Sequence, residues 1–315
     1  MTWKNWLLLV VLALVWGATF PFGKIALVEI PPFVLAFLRV LLAALVLHAV
    51  LAMRGLAFPR DPSMLAAFLV MGLLNNAIPF SLILWGQTGI SASLASILNA
   101  TTPIFTVLVA SVLFRQEILR AHRVAGIAVG FAGVALLLLP GLETGALASL
   151  SGEPAWAQAL CLGAALSYAF AAAFARRFRG VPVMVAATGQ LTGSSLLLLP
   201  LALWQAVSVP GGWTPAMAGP AAWASVVALG TACTALAYLI YFRLLSEAGA
   251  TNASLVTLLI PVSAVLISAS LLGEALSLLQ VAGMGVLLFG LVLLDGRILA
   301  PFDRVQRRAA GRERP

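Results

Sequence analysis

Two ionisable side chains sit well inside long apolar runs: Arg39 in "PPFVLAFLRVLLAAL" and His48 nine residues on. A charge at the centre of a bilayer costs roughly 2.5–3.5 kcal/mol on insertion scales, so such residues need a partner or a route to an interface. Arg39 is about six residues from the start of its run and can snorkel part of the way. It reads as a structural cap in a gating position, with a substrate carboxylate as the alternative partner. His48 lies nearer the other end and reads as a packing residue whose hydrogen bond is met. Enzymatic motifs are missing from the sequence: no H-E-x-x-H, no G-x-S-x-G, no P-loop, and no carboxylates with His at ligand spacing. No cofactor or metal is expected.

The remaining chemistry is neutral and aromatic. Thr231, Thr234, Tyr238 and Tyr241 recur at i, i+3, i+7 and i+10, which places them on one helical face. Asn75 and Asn76 fall mid-run, with Trp85 where that run ends; Asn99, Thr102 and Thr106 share a face, as do Ser254 and Thr257. Trp16, Thr19, Ser167 and Tyr168 complete the set. Polar side chains in a span point away from lipid, so these residues outline a cavity. Each has a plainer reading. Ser and Thr bond the backbone one turn earlier, Asn bonds a neighbouring helix, and Trp85, Tyr238 and Tyr241 can belong to an interfacial belt. Trp16 is too deep for a belt, about 18 Å along its run. Pro21, Pro79, Pro103 and Pro261 lie within runs and read as hinges or fixed kinks, because each removes a backbone donor.

Such residues need long apolar elements to hold them. The chain has 315 residues, 62% of them hydrophobic and 9% charged, against about 25% charged in a soluble domain. A spanning helix needs roughly 20 apolar residues. That length recurs at 5–23, 33–52, 63–84, 93–114, 122–139, 155–175, 182–206, 218–242, 251–272 and 277–295, separated by turn signals such as "EIPPF", "GQTGIS" and "RLLSEAGA". The first run resembles a signal peptide in its charged start but continues through "TFPFG" and has an internal counterpart, so it is read as a span. Cys161 and Cys233 lie in apolar runs and read as buried thiols rather than a disulfide.

Lys and Arg set the orientation. With the N-terminus inside, 16 of the 18 basic residues fall on the inner side, leaving Lys24 outside and Arg39 within a span. Both termini are therefore expected to be cytoplasmic. The net charge of +8 is mostly this topology signal, and it gives no support to nucleic-acid binding.

The runs repeat. Trp16 pairs with Tyr168 at an offset of 152, Asn75 with Thr231 and Trp85 with Tyr241 at 156, Gly126 and Gly133 with Gly283 and Gly290 at 157, Glu117 with Glu274 at 157, and Pro103 with Pro261 at 158. Five spans per copy is odd, so the second copy enters from the opposite side. The expected fold is an all-α integral membrane protein: ten transmembrane helices as two inverted five-helix repeats around a central cavity. The units are 1–139, an external linker 140–154, the second repeat 155–295, and a basic cytoplasmic tail 296–315. Inverted repeats build alternating-access transporters with midplane sites. Gly126 and Gly130 form a GxxxG face read as close packing of helices 5 and 10 within one chain.

With "LVWGATFPFGK" in the first run, "PPFVLAFLRVLLAAL" in the second, and a Pro-to-Glu run closing the fourth and ninth, the sequence resembles the EamA-type exporters of the drug/metabolite transporter superfamily. Among them it is similar to the YddG-type aromatic amino-acid exporters. The resemblance implies export of amino acids, other metabolites or drugs across a bacterial inner membrane. The second repeat departs from the first: Gln190 stands near the place of Arg39, and the sixth run lacks the Trp-Gly pair.

The expected partners are a small-molecule substrate and the lipid bilayer, and a monomer is expected over a dimer. None of the ten acids lies mid-run, so the substrate's own gradient is expected to drive transport. The rival readings are an ion-coupled carrier of drugs or phosphorylated metabolites such as nucleotide-sugars, and an intramembrane lipid-modifying enzyme.

Overall fold

The computed structural model describes residues 1–114, 119–142 and 153–296. These form helices and turns throughout. A helix that is apolar on all faces has no surface to give to water, and in lipid its backbone groups must pair within the helix itself. The spans are α1 (Trp3–Ala26), α2 (Pro32–Met53), α3 (Pro62–Gln87), α4 (Ala92–Leu113), α5 (Ala121–Leu142), α6 (Ala155–Phe178), α7 (Val183–Ser208), α8 (Pro220–Ala248), α9 (Val256–Leu272) and α10 (Leu278–Asp295). Among the described residues, nine are long and apolar enough to cross a bilayer, and α9 has 17 residues continued at its start by the turn Ala250–Ala253. The chain is an all-α, multi-span membrane protein. Successive spans run in opposite directions. The end carrying Trp3, Arg54 and Arg243 is called the near end, and the end carrying Lys24, Glu29, Gln87 and Glu274 the far end.

Side chains start several helices by accepting otherwise unpaired N–H groups. The Asp61 carboxylate accepts from the Met64 N–H at 2.9 Å, the Ser91 hydroxyl from Leu94 N–H, and Ser277 and Gln280 close a reciprocal capping box on α10. Several spans are longer than expected, helices 1, 5 and 6 among them, ending at Ala26, Leu142 and Phe178. Helix 3 runs to Gln87 rather than 84, and helix 8 runs to Ala248 rather than 242. The segment "RLLSEA", read as a turn, is made of helix formers and carries an i,i+4 pair, Arg243 to Glu247 at 2.8 Å. The helix stops at Gly249, whose φ of +79° suits glycine.

Several spans are broken or rewound, and prolines explain most of it. A proline ring displaces the carbonyl four residues earlier. In α1 the helix breaks at Ala18, before Pro21; in α4 it breaks at Ala100–Thr101, before Pro103; the Ala250–Ala253 turn separates from α9 at Ser254–Leu255, six to seven residues before Pro261. A π-helical turn, Leu73–Ala77, precedes Pro79. Pro21, Pro79 and Pro103 thus lie just beyond a defect, whereas Pro261 lies inside α9 without a break at the carbonyl four residues earlier. Pro200 also lies inside α7 and was not anticipated as a kink. The Thr102 hydroxyl donates to the Asn99 carbonyl at 2.7 Å, meeting the acceptor that Pro103 leaves without an N–H.

Small residues let helices touch backbone to backbone. A methyl group on Gly126 would lie 2.5 Å from Leu294 N, and one on Gly133 the same distance from Leu287 N. On the facing helix, a methyl on Gly290 would lie 2.5 Å from Gly130 N. The α5–α10 seam therefore forms within the chain. Cys161 and Cys233 are both free and buried. The contacts pair off when helix n is exchanged for helix n+5: α1–α9 with α6–α4, α3–α6 with α8–α1, and α3–α7 with α8–α2, while α2–α7 and α5–α10 map onto themselves.

Candidate functional site

The polar residues of α3, α7 and α8 meet at the Tyr238 hydroxyl. Asn75 Nδ2 and Asn76 Nδ2 each donate toward it at 3.4 Å, and Gln190 Nε2 at 3.3 Å. Asn75 Nδ2 also reaches Gln190 Oε1 at 3.2 Å. Asn76 is fully buried, and its Oδ1 has no hydrogen-bond partner. Both adjacent asparagines lie within the π-helical turn of α3 and reach this one hydroxyl with their amide groups.

Arg39 stands beside this hub. Its Nε donates to Thr234 Oγ1 at 3.0 Å, and its guanidinium carbon lies 3.8 Å above the Phe80 ring, a cation–π contact. The titratable groups facing it are Tyr168, Cys233 and Tyr238. Thr234 itself donates to the Leu229 carbonyl five residues back, a bond that the π-helical stretch Ala228–Leu236 makes possible. Thr19 lies at the Cys233 thiol. Tyr168 packs against both large apolar clusters, between the α2–α7–α8 core and the α4–α6 core.

Not every expected cavity residue joins. The π-helical stretch adds residues per turn, so Thr231 rotates off the face of Thr234 and Tyr238; its hydroxyl donates to Val227 O at 2.6 Å. Tyr241 turns the other way and meets Trp16 at 5.4 Å between ring centroids, a pair near the hub but outside its hydrogen bonds. Thr257 donates to Ser254 O. Trp85 is 47% exposed at the far end and packs edge-on against Phe33, a belt position away from the hub. Asn99 is held by α4 with Oδ1 unpaired and sealed. His48 shares a 2.9 Å hydrogen bond with Thr192, as expected of a packing residue. Gln190, Phe80 and Phe242 went unselected. The mid-run amide of Gln190 was a visible signal, whereas apolar rings inside apolar runs give none.

A cleft of about 510 Å³ opens from the near end, lined by Leu8, Arg54, Met184, Leu239, Phe242 and Arg243 among others. Phe242, one of its lining residues, stacks parallel on Tyr238, with centroids 5.7 Å apart. Phe242 thus belongs both to the cleft lining and to the surroundings of the hub.

The far end is stitched shut. Glu274, between α9 and α10, accepts from Ala92 N, Ser93 N and Ser93 Oγ at 2.8, 2.9 and 2.6 Å, capping α4 with a carboxylate. Glu153 accepts from Ser91 N and Gln280 Nε2 at 2.7 and 2.9 Å. Lys24 Nζ donates to the carbonyls of Gln87 and Ile90 at 2.6 and 2.8 Å, and Gln87 Nε2 donates to Phe20 O. Across the bundle, Gly219 N donates to Glu29, Trp213 Nε1 to the Glu29 carbonyl, and Phe33 N to Gln205. Glu117, the sequence counterpart of Glu274, lies outside the described residues, as do the 143–152 loop and the tail from 297. Among the described residues no three His, Cys, Asp or Glu side chains cluster as metal ligands would.

Comparison with known proteins adds a family. The model described as the EamA-like transporter family matches residues 3–139 and again 155–294. The chain is 30% identical over 292 residues to the uncharacterized inner membrane transporter YedA of Escherichia coli (strain K12), covering 92% of this chain and 90% of that one. It is 28% identical over 305 residues to the uncharacterized transporter YvbV of Bacillus subtilis (strain 168), covering 96% and 94%. A solved crystal structure superposes with a TM-score of 0.65 over 96% of this chain and 99% of its own, at 22% identity, a likeness of fold.

Proposed function

The chain belongs to the EamA-like transporter family, and on that premise we propose that it exports small organic metabolites, amino acids with aromatic or hydrophobic side chains foremost, by alternating access. The observation carrying this reading is the mid-span hub of Asn75, Asn76, Gln190 and Tyr238, assembled from both halves of the chain and tied through Phe242 to a cleft at the near end. A neutral polar centre walled by Tyr168, Phe80 and Phe242 suits a solute with one polar head and an apolar side chain.

The near end is assigned to the cytoplasm of a cell with an inner membrane, because the basic residues gather there. The described conformation is then open inward. The paired exchange of helix n with n+5 supports two inverted repeats, 1–139 and 155–295, and a switch in which one half rocks against the other. The six described acids lie at helix ends or in turns, and His48 is engaged with Thr192, which supports a facilitator running down the substrate gradient.

The test is flux from liposomes holding purified protein, against a panel of amino acids, with and without a proton gradient. Flux of phenylalanine or leucine with no ion gradient is expected, and Asn75→Ala and Tyr238→Ala should lower it more than Leu136→Ala. Flux only with an imposed pH step would overturn the facilitator reading. No flux of any amino acid would overturn the substrate class.

A further inference from the structure

We infer that Arg39 is an anion-binding residue of the transport site and that the transported solute carries a carboxylate. A guanidinium has five N–H donors in a planar fork. In Arg39 the Nε–H is taken by Thr234 and the ring of Phe80 covers one face of the plane. Among the described residues no acceptor bonds Nη1 or Nη2, although the side chain is only 6% exposed. Those two nitrogens are also absent from the polar atoms sealed away without a partner. Four N–H donors on a full positive charge are therefore left without a protein acceptor.

The surroundings supply no counter-charge. Tyr168, Tyr238 and Cys233 are the titratable groups facing Arg39, all three uncharged near neutral pH, and the described acids are at the two ends of the bundle. A buried cation without an anion is costly, and removing one partner of such a pair costs far more than a surface pair is worth. A site holding half of an ion pair is built to receive the other half with its cargo. The fork suits a carboxylate, which it can grip with two parallel bonds. The approach agrees. Arg54 and Arg243 line the cleft leading inward, a positive mouth that raises the local concentration of anions, though Glu247 offsets Arg243.

This inference rests on reading the hub as the transport site, and the experiment separates the two. Binding to purified protein is followed by tryptophan fluorescence with four matched probes: L-phenylalanine, 3-phenylpropionate, L-phenylalaninamide and phenethylamine. The two carboxylates are expected to bind at least about tenfold more tightly than the amide and the amine. Arg39→Gln should erase that preference, and Arg39→Lys, which keeps the charge but loses the fork, should weaken it. The variants count only if they elute as monodisperse protein; the wild-type ranking stands without them. Equal response to acid and amide in the wild type, including no response to either, overturns the inference, as does a folded Arg39→Gln variant that keeps the preference. Carboxylate binding with no carboxylate flux in liposomes would instead overturn the export reading and leave the anion site standing.

Discussion

The two ends of the bundle are held by different chemistry. At the far end, carboxylates and an ammonium bind backbone groups of other helices: Glu274 on α4, Lys24 on the α3–α4 turn, Glu29 on the start of α8. At the near end, Arg243, Ser246 and Asp61 bond within their own helix or cap, while Phe58, Phe68 and Phe178 join neighbouring segments through rings 5.6 Å apart. Charge-assisted bonds are short and directional, so they are made or broken as a unit. Ring contacts slide. On the proposed alternating-access reading one end must be held closed while the other opens, and in this conformation the inter-helix charge-assisted bonds are at the far end.

The sharpest way to break this comparison is Glu274→Ala. It strips α4 of three donors' partner at once. The amides of Ala92 and Ser93 should then exchange with deuterium about tenfold faster or more, and inward-to-outward switching should speed while overall flux falls several-fold. Unchanged protection of 92–93 would show that the carboxylate is not what holds the far end. A smaller effect is expected at the cleft lining. Phe242→Ala removes the ring stacked on Tyr238, and a thiol placed at Asn75 should become about threefold more reactive to a polar maleimide. Equal reactivity would place the path elsewhere. The smallest effect belongs to the near-end cap. Ser63 and the Met64 N–H donate to Asp61 and hold its carboxyl below the usual carboxylate range. A depressed value stabilises the folded state at pH above the unfolded carboxyl's and loses that contribution as pH falls through the folded one. Asp61→Ala should therefore lower the thermal midpoint slightly at neutral pH and not in acid, with flux unchanged; a fall in flux would mean that this cap takes part in switching.

The architecture was legible because lipid imposes it: runs of about 20 apolar residues, arginines on one side, and glycines at a fixed offset each follow from a single physical demand. The Gly126–Gly290 seam could be named from spacing alone. The polar cluster read as the candidate site was legible in part. Asn75, Asn76, Thr234 and Tyr238 were found because a polar atom in lipid has to be explained. Thr231 misled because its placement assumed 3.6 residues per turn, and the π-helical stretch at 228–236 breaks that period without a mark in composition. The far-end bonding was hidden for another reason. The partners of Glu274 and Lys24 are mostly backbone N–H and C=O groups, which every residue carries and no sequence singles out.

The glycine seam also bears on how the molecule is made. Helix α5 is complete when residue 142 has left the ribosome, but its partner surface, Gly283 to Leu294, is about 150 residues downstream. At roughly 5–20 residues per second, α5 waits some 8–30 s in the lipid with its glycine stripe uncovered. One of the close backbone contacts of the protein is thus among the last to form during synthesis. A chain stopped before residue 278 would carry nine helices and an unpaired α5, a species that membrane proteases and chaperones could tell from the finished carrier by that one bare stripe.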